Sequence, residues 1–92
     1  MIIAKVVGNL WATKKDESLE GLKFFVVKQL GVPQGQVKPI VAVDGGVGAG
    51  IGDDVLVTQG SSARLIYGER QVPVDAVIVG VIDSVEVDKD IL

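Results

Sequence analysis

Residues 45–52 read GGVGAGIG, with glycine at 45, 46, 48, 50 and 52 and the acidic pair Asp53-Asp54 directly behind. Glycine tolerates positive φ and close backbone approach, at a cost to regular helix or strand, so this stretch is a loop. Two kinds of loop use glycine so densely. One wraps a phosphate and implies a nucleotide-binding enzyme. The other lets two backbones pack with no Cβ between them and implies a building block.

The phosphate reading fails on spacing, context and charge. A dinucleotide loop needs G-x-G-x-x-G at the start of a helix, whose amides meet the pyrophosphate. Here the spacing is G-x-G-x-G, and the next segment, DVLVTQ (54–59), reads as a strand. A P-loop needs lysine and a hydroxyl residue after its last glycine; Asp53 and Asp54 stand there instead and repel a phosphate. Asp44, Asp53 and Asp54 also lack the alternating oxygen ligands of a calcium loop. Close packing remains, as an intersubunit seam, as the narrow axis of a ring, or as a plain hairpin loop without contacts.

The remaining segments are short and β-rich. Ile2–Val7 is a first strand that reaches Trp11 with a kink at Gly8, and KKDES (14–18) is a polar turn. LKFFVVKQL (22–30) places Leu22, Phe24 and Val26 on one face and Phe25 and Val27 on the other. A strand apolar on both faces is covered on both, and in so small a chain a second subunit is one source of that cover. GVPQGQ (31–36) has turn chemistry. Val37–Asp44 is a third strand whose Pro39 marks an edge or the strand's start. Asp54–Gln59 is the fourth strand. GSSARLI (60–66) opens a short helix, with Ser61 or Ser62 as the expected cap. Tyr67–Val72 reads as a polar loop. Val74–Val87 reads as one long fifth strand, with Val77, Val79, Val81, Val85 and Val87 on one face and a polar far end. Without βαβ alternation, this order of elements implies a small β-barrel or sandwich with one short helix.

Composition narrows the chemistry. With no cysteine and no histidine, the chain has no thiol nucleophile, thiolate metal site or imidazole base. Ser61 and Ser62 sit in G-S-S-A-R rather than G-x-S-x-G and have no histidine to activate them. Trp11 without a basic groove is thin support for stacking nucleic-acid bases and reads better as packing. Hydrophobic residues make up 48% of the chain, yet no run approaches the ~18 residues of a membrane span. The apolar excess is then accommodated most economically between subunits. The first residues, MIIAKVVGNLWAT, interrupt their apolar run with Lys5, which does not suit a secretory signal, so a cytoplasmic location is expected.

Charge is divided unevenly. Residues 1–38 hold six lysines against three acids, whereas residues 39–92 hold three bases against nine acids, for a total of −3. The acidic second half opposes binding to nucleic acid, where phosphate neutralisation dominates. Opposite signs at two ends suit identical subunits packing head to tail; solvated charges without a partner are the competing reading. Arg64 pairs with a carboxylate, Asp83 or one on a neighbour, or else stands in solvent.

Four segments together carry a resemblance: AKVVGNLWATKK (4–15), LEGLKFFVV (19–27), VAVDGGVGAGIGDDVLVTQGSSAR (41–64) and PVDAVIVGVIDSVEV (73–87). In order and spacing the chain resembles the pentameric vertex proteins of bacterial microcompartment shells, found in carboxysomes and in ethanolamine- and propanediol-type organelles. The resemblance implies an all-β fold, a five-stranded barrel like that of oligonucleotide-binding domains, assembled as a cyclic homopentamer. It implies a structural protein rather than an enzyme, no cofactor or metal, and hexameric shell proteins as partners. Gly48, Ala49, Gly50, Ser61, Ser62 and Arg64 become candidates for subunit contacts or a central opening, as does Asp83; Asp75 and Asp83 match the pattern with structural roles. Two departures stand out: Trp11 is bulkier than the aliphatic residue of the pattern, and the tail after Val87 is short. The latter speaks against an exchange of long C-terminal arms. The expected organisation is one domain, 1–92, with a barrel over about 1–87 and a tail of 88–92. The rival function is a module that holds single-stranded nucleic acid, with no membrane role in either case.

Overall fold

A computed structural model describes residues 1–13, 15–68 and 72–92. Five strands form a closed barrel: β1 (Ile2–Leu10), β2 (Phe24–Gln29), β3 (Ile40–Asp44), β4 (Asp54–Gln59) and β5 (Ala76–Val81). Around the barrel the order is β1-β2-β3-β5-β4, with β4 closing back onto β1. All pairs are antiparallel except β3 and β5, which meet through Val43↔Val77 and Asp44↔Ile78. This is the expected small barrel with one short helix, α1 (Ser61–Arg64).

Alternation along each strand divides the apolar residues into two cores. Ala4, Val6, Phe25, Val27, Ala42, Val55, Val57, Ala76 and Ile78 fill the barrel interior. Each fully buried valine or isoleucine contributes roughly 1.5–3 kcal/mol. The second core lies outside the barrel wall, where Val43 and Val77 meet Ala63, Val72 and Val74, flanked by Leu19, Leu22, Phe24 and Tyr67. It explains the two-sided strand LKFFVVKQL. Phe25 and Val27 point inward, while Phe24 packs half-buried against the second core and Val26 is half-buried. Part of the cover on the outer face is therefore internal.

Several local expectations hold. The ladder between β1 and β2 shifts register between Val6 and Gly8, which is the kink at Gly8. β4 has the bounds expected of it, whereas β3 begins at Ile40, just after Pro39, rather than at Val37. The loop expected over 67–72 falls partly on residues 69–71, outside the described residues.

Two expectations fail. The fifth strand ends at Val81 rather than Val87. Its partner β4 begins at Asp54, and the last bond across that edge runs from Ile82 N to Asp54 O at 2.8 Å, so the chain beyond has no ladder to join. Valine alternation records β propensity, but a strand is only as long as its neighbour. The serine cap is also absent: Gly60 occupies the N-cap, and no side chain caps the helix. The chain leaves β4 with Gly60 at φ 68°, held by Gly60 N to Asp75 O at 2.8 Å, so Ser61 and Ser62 already lie within the first turn and are exposed.

Candidate assembly site

The strand directions define two barrel mouths. The end of β1, the start of β2, the end of β3, the start of β4 and the end of β5 share one of them. The glycine loop, the β1–β2 connection and the C-terminal segment therefore gather at that mouth. The helix α1 follows β4 at the other.

The glycine loop is tied down almost residue by residue. Asp44 Oδ1 accepts from Gly46 N (3.2 Å) and Val47 N (3.0 Å), and Asp44 Oδ2 accepts from Gly48 N (3.1 Å). Asp53 Oδ2 accepts from Gly50 N at 2.9 Å. Gly45 N donates to Ile78 O and Gly52 N to Val6 O, both at 2.9 Å. The amides that a phosphate would require are thus committed to the chain's own carboxylates and carbonyls. This folding of the loop onto Asp44 requires positive φ at Gly46 (99°) and Gly48 (78°). At Gly45 the need is steric, because a Cβ there would lie 2.8 Å from Ile78 O. That close approach, at Gly45, lies inside one barrel, whereas a Cβ at Gly46, Gly48 or Gly52 would meet nothing within 4 Å.

The candidate residues separate accordingly. Gly48 is exposed on the loop, Gly50 is half-buried, and Ala49 packs against the barrel interior as a plug in the mouth. Asp83 lies just past β5 at the same mouth. Ser61, Ser62 and Arg64 sit on α1, beside the start of β5, so Arg64 and Asp83 are at opposite ends of that strand. Among the described residues neither enters an ion pair; the pairs present are Lys5–Asp54 (2.8 Å) and Lys15–Glu20 (3.6 Å). The Asp75 backbone carbonyl accepts from Gly60 N at 2.8 Å, a bond that does not depend on its side chain. Among the described residues no three side chains group as a metal site, and no helix is long and apolar enough to cross a membrane.

The sequence reading missed the exposed apolar residues that the structure places around these candidates. Leu65 and Ile66 follow α1, Val47 and Ile51 stand on the glycine loop, and Val85, Val87, Ile91 and Leu92 line the C-terminal segment. Trp11 is 84% exposed, which excludes core packing in the single chain. The available signals were the Leu65-Ile66 pair behind the helix and the valines past Asp83, in the polar far end of the expected fifth strand, which emerges into solvent or onto a neighbour.

Comparison with known proteins gives this surface a context. The family model described as ethanolamine utilisation protein EutN/carboxysome matches residues 1–83. The carboxysome shell vertex protein CcmL of Nostoc sp. is 44% identical over 90 residues, covering 96% of this chain and 88% of the relative. Its solved structure superposes with a TM-score of 0.82, covering 92% of each chain. The bacterial microcompartment shell vertex protein GrpN of Rhodospirillum rubrum is 42% identical over 89 residues, covering 94% of this chain and 97% of the relative. Its structure, described as a pentameric microcompartment shell protein, superposes with a TM-score of 0.80, covering 96% of this chain and all of the other. With the family pattern running from the first residue to Asp83 and the barrel reproduced over nearly the whole chain, this protein belongs to the EutN/CcmL family.

Proposed function

We propose that five copies of this chain close a ring that occupies a vertex of a bacterial microcompartment shell. The observation that carries the reading is the match to GrpN, a pentameric shell protein, at 42% identity over essentially the full length of both chains. Physical chemistry supports it. Exposed Leu65, Ile66, Trp11, Val85 and Val87 are distributed over different parts of one barrel. Unlike patches that meet head to tail close a ring when the rotation between copies allows it. The role is structural and not enzymatic, and its place is the shell itself, within the bacterial cytoplasm. Hexameric shell proteins are the neighbours we expect around such a ring. The single-stranded nucleic-acid alternative is unsupported, because the relatives are shell proteins and the chain carries a net charge of −3.

Native mass measurement tests the ring directly. The expected result is one species at five times the 9.6 kDa chain mass. A single-chain mass at micromolar concentration overturns the reading.

A further inference from the structure

The mouth opposite the glycine loop holds two joined depressions. Ile2 and Ile40, which pack against the interior core, floor a basin of about 240 Å³, and exposed Gln29, Gln36, Lys38 and Gln59 form its rim. A cleft of about 310 Å³ adjoins the basin, sharing Ile40 and Gln59 and reaching Val41, Asp75 and Ala76. It lies where two strands part. The parallel ladder between β3 and β5 consists of Val43↔Val77 and Asp44↔Ile78 and goes no further toward this mouth. Hydrogen bonds on either side fix how the backbone is directed there. Asp44 N donates to Lys23 O at 3.0 Å, which makes Lys23 and Asp44 a bonded pair of β2 and β3. Such pairs alternate along antiparallel strands, so Ala42 bonds β2 while Val41 turns its N–H and C=O toward β5. Across the cleft Gly60 N donates to Asp75 O at 2.8 Å, and by the same alternation the Ala76 N–H faces β3. Both N–H groups lie past the last rung of the β3–β5 ladder.

We propose that this cleft accepts an extended segment of a partner protein, which pairs with the free side of β3 at Val41. An open strand side specifies its occupant, because donors and acceptors in strand geometry are matched by another extended chain. The surrounding side chains extend the match. Half-buried Ile40 faces the basin and Val41, 48% exposed, faces outward, so apolar residues on either face of the segment find cover. Glutamine amides both donate and accept, which suits a peptide backbone crossing the rim of the basin. Charge orients the segment. Asp75 stands at the cleft and Lys38 on the basin, and neither enters an ion pair among the described residues. A base at the inserted end and an acid over the basin complement them. The chain's own exposed segment, 83–92, leaves from the opposite mouth, so the occupant comes from another protein. The cleft is complete within one barrel and needs no ring.

Amide hydrogen exchange followed by NMR on the full chain tests the pairing, with a blocked hexapeptide of lysine, valine, threonine, valine, threonine and glutamate as probe. Without peptide, the Val41 and Ala76 amides are expected to exchange faster than the Ala42 amide, which bonds β2. Added peptide is expected to slow both saturably. Two further peptides, N-methylated at one or the other alternate set of residues, keep every side chain and lose the donors of one edge. The one that loses its donors toward β3 should bind about five- to fiftyfold more weakly than the unmethylated probe. Lys38→Glu should weaken the probe about two- to fivefold. A Val41 amide as protected as that of Ala42 before any peptide is added overturns the proposal, because the cleft is then already closed. Equal binding of all three peptides overturns strand pairing. Failure of the probe to slow either amide at about 1 mM overturns the site as a whole.

Discussion

The glycine loop and the C-terminal segment leave the same barrel mouth and carry opposite kinds of information. The loop has almost no spare bonding capacity: Asp44 takes three of its amides, Asp53 takes another, and Ala49 is sunk toward the interior. The segment has almost nothing but spare capacity. Its internal order is confined to a final turn in which Asp88 O accepts from Ile91 N and Leu92 N and Asp88 Oδ1 accepts from Asp90 N. Small residues in a row suggested a close fit; within one barrel Gly45 meets crowded backbone, while a Cβ at Gly46, Gly48 or Gly52 would face open space. Val85 and Val87, expected at the emerging far end of a long fifth strand, stand past its last ladder bond and are exposed. Dense glycine here answers two needs, close approach at Gly45 and positive φ at Gly46, Gly48 and Gly52.

The contrast can be broken at its strongest point first. Ile78 is fully buried at the centre of the interior and bonds the loop through its carbonyl, so Ile78→Ala should cost about 2–5 kcal/mol in urea unfolding at fixed protein concentration. A cost near zero would mean that the barrel interior is not the principal core. Gly45→Ala comes next. Its Cβ would meet the Ile78 carbonyl and the Val77 side chain, and the expected loss is about 1–3 kcal/mol by the same measurement. An unchanged midpoint would show that the loop has room for a side chain and that its tight fit is illusory.

Asp44→Ala probes the loop's polar ties. Water can reach these exposed amides, so the expected loss is only about 1 kcal/mol. Faster hydrogen exchange at Gly46, Val47 and Gly48 should accompany it, and unaltered exchange would remove Asp44 from its role. Smallest of all, Ser61→Ala and Ser62→Ala should each leave stability within about 0.5 kcal/mol, because neither side chain caps α1. A loss of 1 kcal/mol or more from either would reinstate the serine cap.

Strand placement was legible where propensity and turn chemistry agreed. DVLVTQ, bounded by Asp53 and Gly60, became β4 at its expected limits, and Pro39 marked where β3 begins. It was illegible where a strand's length depended on a partner far away in sequence, as at Val85 and Val87. The candidate residues behaved similarly. Gly48, Ala49 and Gly50 were recognisable as special, but only the fold places Ala49 over the barrel interior and brings Asp44 beneath three amides. Leu65 and Ile66 looked like ordinary helix residues because exposure is a property of what lies opposite.

What the sequence determined by itself was local and compositional. Cysteine and histidine chemistry is absent, the phosphate loop is excluded by spacing and charge, and short β-rich runs restrict the fold to a small β-barrel or sandwich. These follow because side-chain chemistry and φ/ψ preference travel with each residue, whereas the choice of a closed barrel over a sandwich came with the family resemblance and the strand pairing. The tertiary structure alone decided where β5 stops, which side of the barrel each flank presents, and which apolar residues stay wet. Those outcomes depend on pairing between residues distant along the chain, and no residue carries its partner's position with it.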